Sequence, residues 1–177
     1  MHCMVDIETL DTTATAVVVS IGAVLFDPNK EGPIFPSDTL YEVLRLQPQI
    51  DVGRTVSADT LKWWMQQAPE ARNVFNVHAV APVTALSNFG AFCTNAEGVW
   101  GNGSDFDNAI LASAIKSFDL QGWRYSRNRC FRTLKNLGKT RDFVEPVRKG
   151  THHNALDDAI YQAEYLQAVV KHLGLTL

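Results

Sequence analysis

The chain has 177 residues, of which 46% are hydrophobic and 20% are charged, and its formal net charge at pH 7 is −3. This length and composition predict a single domain, residues 1–177, with a full hydrophobic core. The sequence shows no secretory leader pattern and no apolar run long enough for a membrane span, so we expect a cytoplasmic protein without membrane contact. Its three scattered cysteines argue against a disulfide framework and against a zinc site.

The first third of the chain has the pattern of three consecutive strands. Residues 1–9 begin with an apolar run, residues 16–27 are typical of a buried central strand, and residues 39–46 form the third strand. Pro28, Gly32, Pro33 and Pro36 interrupt the pattern between the second and third strands. These segments predict a three-stranded meander.

Helical periodicity dominates the remainder. SADTLKWWMQQ, with Ser57 at its N-cap, and PVTALSNFGAFCTN are predicted helices, and residues 99–103 are a short strand that enters a glycine turn. Further helices are predicted over residues 105–118, 128–138 and 154–172. Strands followed by helices, with one strand between them, predict an α/β fold in which helices flank a mixed sheet.

Positive charge is concentrated in one segment. Residues 124–149 contain nine of the sixteen Lys and Arg residues against two acids, which is a net charge near +7. Such polarity suits a polyanionic substrate, although a solvated helical face with ordinary surface cations is the alternative. Within this segment we expect Arg129 and Arg132 to bind substrate phosphates, from the same subunit or across a dimer.

The first strand carries two acids on one face. Side chains alternate along a strand, so Asp6 and Glu8 project from one side while Val5 and Ile7 project from the other. Successive residues on one face are roughly 6.6 Å apart, which lets the pair flank two metal ions roughly 3.5 to 4 Å apart. The alternative is an edge strand with a solvated face, but Met4 continues the acidic face and makes that less convincing.

A third acid falls on the buried stripe of a predicted helix. Leu111, Ala114 and Phe118 lie within about 40° of Asp107 when residues are spaced 100° apart. Asp105 falls about 160° away and is expected to be an N-cap or an exposed first-turn acid. The helix dipole would stabilise an acid at position 107 but does not explain why it points inward.

The last helix begins in HHNALDD, where two identical His-to-Asp spacings are one residue apart. Asp157 lies opposite the apolar stripe of this helix, and Asp158 lies about 100° from its centre, at the border where a carboxylate can reach a cleft. With Asn154 as the N-cap, His153 immediately precedes the helix. The favoured pair is therefore His153 with Asp158, and His152 is expected to be merely exposed.

Four inward acids, Asp6, Glu8, Asp107 and Asp158, would repel one another unless cations neutralise them. Oxygen ligands in this number select Mg²⁺ or Mn²⁺ over zinc. A histidine beside such a centre, with a pKa near neutrality, is suited to activate water for attack on a phosphodiester.

Three segments, DIET at 6–9, NGSDFD at 102–107 and HNALDDA at 153–159, resemble the exonuclease motifs of the DnaQ-like DEDDh superfamily, in order and spacing over essentially the whole chain. The resemblance implies an RNase H-like fold and removal of nucleotides from 3′ ends with two metal ions. It implies Asp6, Glu8, Asp107 and Asp158 as metal ligands and His153 as the general base.

The same resemblance implies substrate contacts and closer relatives. The expected substrate-binding residues are Thr9, Leu10, Asn102 and Phe106, with Leu10 against a base. LKWWMQQAPEAR and NRCFRTL are most similar to compact phage and prophage exonucleases and to the RNase AS-type exoribonucleases, relatives that are often homodimers. The second motif departs from the commoner HNxxFD form, and the Phe-Asp pairing favours Asp107 over Asp105. Trp63 and Trp64 are expected in the core, with base stacking as the alternative.

Together these features predict a 3′-5′ exonuclease that hydrolyses single-stranded 3′ ends with two Mg²⁺ or Mn²⁺ ions, on RNA rather than DNA. An exodeoxyribonuclease is the main alternative, because nothing in the sequence shows a contact to a 2′-hydroxyl. A non-catalytic nucleic-acid-binding domain and a nucleotide phosphatase are the other two. A non-catalytic domain should have lost one of the metal-binding acids, whereas all four are present.

Overall fold

The computed structural model describes residues 1–32 and 34–177, so Pro33, expected in the connection after the second strand, lies outside the described residues. Five strands form one mixed sheet in the order β3-β2-β1-β4-β5. They are β1 (His2–Thr9), β2 (Val18–Phe26), β3 (Thr39–Val43), β4 (Val99–Gly101) and β5 (Asn128–Cys130). The first three pair antiparallel, as the meander predicted, and β4 and β5 add in parallel beside β1.

Seven α-helices are present in the described ranges. They are α1 (Gln47–Asp51), α2 (Ala58–Met65), α3 (Pro69–Arg72), α4 (Pro82–Phe92), α5 (Asp107–Ser117), α6 (Phe131–Gly138) and α7 (Ala155–Leu173). Two N-caps are as expected, since Ser57 Oγ accepts from the Asp59 amide and Asn154 Oδ1 accepts from the amides of Leu156 and Asp157. Of the helices described, none combines the length and the apolar character needed to cross a membrane.

The two faces of the sheet bury separate halves of the core. Val5 and Ile7 of β1 pack in one cluster with residues of α4 and α5. Met4, on the other face, packs with residues of α6 and α7, including Phe131 and Tyr165. This two-sided cover is the RNase H-like mixed sheet flanked by helices that the sequence predicted. The carboxyl end of β1 lies between the first turns of α5 and α7.

Two glycines bring these first turns close to the sheet. A Cβ atom on Gly22 of β2 would lie 2.1 Å from the carbonyl carbon of Ala155, at the start of α7. A Cβ atom on Gly101 of β4 would lie 2.4 Å from Asn108 Oδ1 and 2.9 Å from Asp107 Cβ, at the start of α5. Only a residue without a side chain permits these approaches. Both helices that carry a predicted acid are thus seated by a strand glycine.

The structure differs from the predicted elements in five places. Residues 128–130 were predicted as the start of a helix but form β5, because they pair with Val99–Gly101 and the helix begins only at Phe131. Helices α1 and α3 are short and had no periodic signal, and β3 ends at Val43 instead of residue 46. Asp105 is exposed as expected, but Phe106 occupies the N-cap position of α5, so Asp105 as its N-cap was wrong.

Candidate active site

A cleft of about 750 Å³ opens at the carboxyl end of β1. Asp6 and Glu8 line it from the strand, where they stand opposite Gly22 and Ser20 of β2. Glu8 is 7% exposed, and the alternation along β1 sends Val5 and Ile7 into the core behind it. The two acids therefore share one face of the strand, as predicted, and that face forms the floor of the cleft.

Asp107 reaches the cleft from the first residue of α5 and is 3% exposed. Burial raises its pKa to about 7, although backbone amides of Ile7 and Asn102 and the charge of Arg132 oppose that rise. Asp105 lies outside on the exposed approach to the helix. The buried stripe of α5 thus contains Asp107, which is the acid that both the helical spacing and the Phe-Asp pairing favoured.

His153 and Asp158 meet at the start of α7. The backbone amide of His153 donates to Asp158 Oδ2 at 3.0 Å, and Asp158 is 6% exposed. His153 has a φ of 63°, in the left-handed region, which a non-glycine residue adopts at a cost of roughly 1–2 kcal/mol. Its ring lies edge-on to Trp63 with centroids 4.9 Å apart, and its Nδ1 is 4.0 Å from Glu8 Oε1. The imidazole therefore faces the carboxylate cluster.

The other His-Asp pair is arranged differently. Asp157 Oδ2 accepts from the Thr151 amide at 2.7 Å and so closes the loop before the helix. His152 is exposed and lines the rim of the cleft, with its ring 4.3 Å from the His153 ring. Asp157 has a local structural partner, whereas Asp158 lies in the cleft.

The carboxylates affect one another strongly. Burial, followed by the charges of Asp107, Glu8 and Asp158, raises the pKa of Asp6 well above its ordinary value. Burial, followed by Asp158 and Asp107, raises the pKa of Glu8 to about 9. Buried like charges of this kind favour the protonated form unless a cation joins them. Burial also lowers the pKa of His153, which keeps its imidazole neutral at pH 7.

The donor set fits a hard divalent cation. Oxygens of Asp6, Glu8 and Asp158 lie within 4.8 Å of one another, and Asp107 adds a fourth carboxylate to the same cleft. Such all-oxygen sets bind Mg²⁺ or Mn²⁺ in preference to zinc. A cation there would remove the repulsion that raises the acid pKa values.

A basic and aromatic wall faces the acids. It includes Arg132, Lys135 and Arg148, together with the exposed Trp63. Arg132 donates to the Asn102 carbonyl, which ties α6 to the second motif. Trp63 is 38% exposed and Trp64 only 3%, and the Trp64 indole donates to the Thr9 carbonyl at 2.9 Å. One tryptophan is therefore available to a ligand, and the other belongs to the core.

The structure brings most of the predicted site residues into the cleft and places two elsewhere. Thr9, Asn102, Phe106 and Arg132 line the cleft with the four acids and His153. Leu10 is 5% exposed and packs in a core cluster with Trp64, because β1 ends at Thr9 and Leu10 lies in the bend that follows it. Arg129 packs beside Gly98, at the amino end of β4, and donates to the carbonyls of Ser126 and Asn128.

Sequence reasoning missed two residues that contact the acids. Gln162 donates to Asp6 Oδ1 at 2.7 Å, and Arg148 donates to Asp158 Oδ1. Gln162 lies one helical turn after Asp158, so its position on the same face of α7 was a usable signal. Arg148 lies in an irregular loop with no periodicity, and only the position of that loop brings it to Asp158.

Comparison with known proteins gives a consistent picture. Residues 1–170 match the family described as "3'-5' exoribonuclease Rv2179c-like domain". The "Exodeoxyribonuclease" of Enterobacteria phage T4 is 24% identical in an alignment that covers 84% of this chain and 77% of the phage protein.

Two solved structures share the fold. "Exonuclease X in complex with 5' overhanging duplex DNA" has a TM-score of 0.61 at 17% identity and covers 99% of this chain and 95% of its own. The nuclease domain of 3'hExo, "a DEDDh family member, bound to rAMP", has a TM-score of 0.64 at 12% identity and covers 99% and 93%. At these identities the likeness establishes the RNase H-like fold.

Proposed function

The chain belongs to the Rv2179c-like 3'-5' exoribonuclease domain family, which makes it a 3′-5′ exonuclease, and we propose that it releases nucleoside monophosphates from the 3′ ends of single-stranded RNA with two Mg²⁺ or Mn²⁺ ions. One observation carries the proposal. Four acids from β1, α5 and α7 converge on one cleft beside His153. Sequence-distant acids buried together in this way are costly to the fold and are typical of a catalytic metal centre.

The four acids and the histidine of the cleft have separate roles in this proposal. Asp6, Glu8, Asp107 and Asp158 would hold the metal ions, which when bound lower the pKa of water and stabilise charge on a phosphodiester. His153 accepts the proton of the attacking water, because its lowered pKa leaves the imidazole unprotonated at pH 7. Its contact with Trp63 and the bond from its amide to Asp158 fix the ring toward the acids.

The wall of the cleft supports a single-stranded substrate. Trp63 offers a partly exposed ring on which a base can stack, and Arg132 and Lys135 supply charges for phosphates. Thr12, Asp59 and Thr60 line the side next to Trp63 and offer donors and acceptors to a ribose. Polar groups at this position favour RNA, since a 2′-hydroxyl can both donate and accept.

DNA is the second candidate substrate, favoured by the phage relative, which is described as an exodeoxyribonuclease. A homodimer stays a prediction that gel filtration with light scattering would check. Neither the choice between RNA and DNA nor the oligomeric state changes the chemistry proposed for the cleft, because every residue given a role lies in one chain.

The test is degradation of matched RNA and DNA oligonucleotides, each labelled at its 5′ end, with Mg²⁺, Mn²⁺, Ca²⁺ or excess EDTA. We expect stepwise shortening and release of mononucleotides with Mg²⁺ or Mn²⁺, faster on RNA, and no reaction with Ca²⁺ or EDTA, because Ca²⁺ coordinates too loosely for in-line displacement. Full activity in EDTA would overturn the metal mechanism. Release of phosphate alone would indicate a phosphatase, and binding without cleavage would indicate a non-catalytic domain.

A further inference from the structure

Arg148 makes contacts that the proposed chemistry does not use. Its guanidinium donates to Asp158 Oδ1 from the wall of the cleft, and its side chain is 30% exposed. The guanidinium carbon also lies 4.3 Å from the centre of the Tyr161 ring, one turn along the same helix. A cation held over an aromatic face next to a carboxylate has two favourable partners at one place.

The segment that carries Arg148 is attached at both ends. On one side Tyr165 of α7 donates to Glu145 Oε1 at 3.0 Å and packs against Phe143 at 5.2 Å between ring centroids. On the other side the Thr151 amide bonds to Asp157. The backbone is thus held against α7 on both sides of Arg148. The long side chain is the part that can move between Asp158 and the open cleft.

Asp158 is the carboxylate at which Arg148 meets the proposed metal centre. Its Oδ2 accepts from the His153 amide, and its Oδ1 accepts from Arg148, so both oxygens are engaged within the chain. A cation held by Asp6, Glu8 and Asp158 needs an oxygen of Asp158, and a guanidinium at the same oxygen both occupies it and repels the cation. Arg148 therefore opposes cation binding at Asp158, and the two positive charges compete for this carboxylate.

We propose that Arg148 exchanges one anionic partner for another. In the metal-free protein it neutralises Asp158. Once Asp158 binds a cation, Arg148 moves to a phosphate of the 3′-terminal nucleotide. The inference rests on the proposed function, because it takes that site as the metal centre. Arg148 lines the same cleft as Arg132 and Lys135, so a short rotation of its side chain keeps it within the site. The planar guanidinium binds carboxylate and phosphate in the same two-pronged way, which lets one group serve both partners.

The proposal predicts effects of opposite sign on two ligands. Arg148→Ala should tighten Mn²⁺ binding, measured by calorimetry without substrate, by roughly 5-fold or more, because a competing cation is gone. The same variant should weaken AMP binding to the Mn²⁺-loaded protein and raise KM for the oligonucleotide, because a phosphate ligand is lost. Arg148→Lys should fall between the wild type and Arg148→Ala on both measurements, since a lysine keeps the charge but not the planar fork.

Lys149→Ala is the matched control. It removes the same unit of charge from an exposed neighbour in the same loop, so it reports the effect of net charge alone and should change both affinities little. Tyr161→Leu removes the aromatic support, and we expect it to shift Mn²⁺ affinity in the same direction as Arg148→Ala but less. Circular dichroism and thermal unfolding of each variant verify that the fold is retained.

The outcomes separate this inference from the proposed function. Mn²⁺ affinity that is unchanged or weaker in Arg148→Ala would overturn the exchange, and so would an equal gain in Lys149→Ala. Tighter Mn²⁺ binding with unchanged AMP affinity would overturn the phosphate step. Wild-type protein that binds no Mn²⁺, or that degrades oligonucleotides in EDTA, would instead overturn the proposed function itself.

Discussion

The two ends of β1 bury polar side chains in different ways. At the amino end the Trp100 indole donates to His2 Nδ1 at 2.8 Å, and the two rings stack with centroids 6.0 Å apart. Burial lowers the pKa of His2, so it is a neutral acceptor with a neutral donor. At the carboxyl end, by contrast, Glu8 and Asp107 are buried near the partly buried Asp6, and loss of solvent raises the pKa of each.

Hydrogen-bond satisfaction shows the same contrast. Among the described residues, the buried side-chain atoms without a partner include Gln162 Oε1, Ser20 Oγ and Asn108 Oδ1. Gln162 bonds to Asp6 through its other atom, and Ser20 lies opposite Glu8, so these two belong to the carboxyl end, whereas Asn108 bonds through its Nδ2 to the Val99 carbonyl. Buried polar groups normally have partners, and a cluster without them is typical of a binding site. The amino end stabilises the fold, and the carboxyl end is organised for a ligand.

The largest expected effect comes from Asp158→Asn, which should abolish Mn²⁺ binding and turnover, because an amide cannot replace a charge shared with cations. Calorimetry with Mn²⁺ and the oligonucleotide assay measure both. Asp157→Asn is the matched control and should stay active, since an amide oxygen can still accept from Thr151. A dead Asp157→Asn with an active Asp158→Asn would show that the other pair does the chemistry.

His153→Ala should lower kcat by roughly 10² to 10⁴, the usual contribution of a positioned base, with Mn²⁺ affinity unchanged. Because the base must be neutral and burial lowers its pKa, the wild-type rate should fall only below about pH 6.5, and this acidic limb should vanish in the variant. His153→Asn is the better folded comparison, as Asn tolerates the left-handed φ of 63°. His152→Ala should retain both the wild-type kcat and the acidic limb of the pH profile. An equal loss of kcat in His152→Ala would contradict the assignment of His153 as the base.

The acids and the histidine could be predicted because their positions follow from regular spacing: alternation on β1, and helical turns on α5 and α7. Residues set by irregular backbone could not. Leu10 lies in the bend after the end of β1 and packs in the core, and Arg148 reaches Asp158 from a loop. The location of Arg129 outside the cleft could not be predicted for a related reason, since β5 forms only by pairing with β4 and has no sequence pattern of its own.

Magnesium should stabilise the protein more at higher pH. Glu8 keeps its proton in the metal-free fold up to about pH 9, whereas in the unfolded chain it releases the proton above its ordinary pKa of 4.5. The metal-free free energy of unfolding should therefore fall as pH rises through that window. Cation binding replaces the proton, so the Mg²⁺-induced rise in Tm should be larger at about pH 8.5 than at about pH 6.

Glu8→Gln tests the origin of that pH dependence. A neutral amide at position 8 should flatten the decline in Tm of the metal-free protein and remove most of the Mg²⁺ effect. An Mg²⁺ effect on wild-type Tm that is equal at the two pH values would contradict the picture of a protonated Glu8.

The smallest expected effects come from two arginines near opposite ends of β4. Arg132 lines the cleft, whereas Arg129 lies beside Gly98 at the opposite end of β4. Arg132→Gln, which keeps a donor for the Asn102 carbonyl, should raise KM severalfold and lower the salt slope of binding by about one, as expected for one lost phosphate contact. Arg129→Gln removes the same charge from the distant end and should leave the slope unchanged. The slope comes from oligonucleotide affinity measured over a series of salt concentrations. Equal losses of salt slope in both variants would mean either that the substrate extends over the amino end of β4 or that a second subunit brings Arg129 to the cleft. Light scattering of the same samples would distinguish these two arrangements.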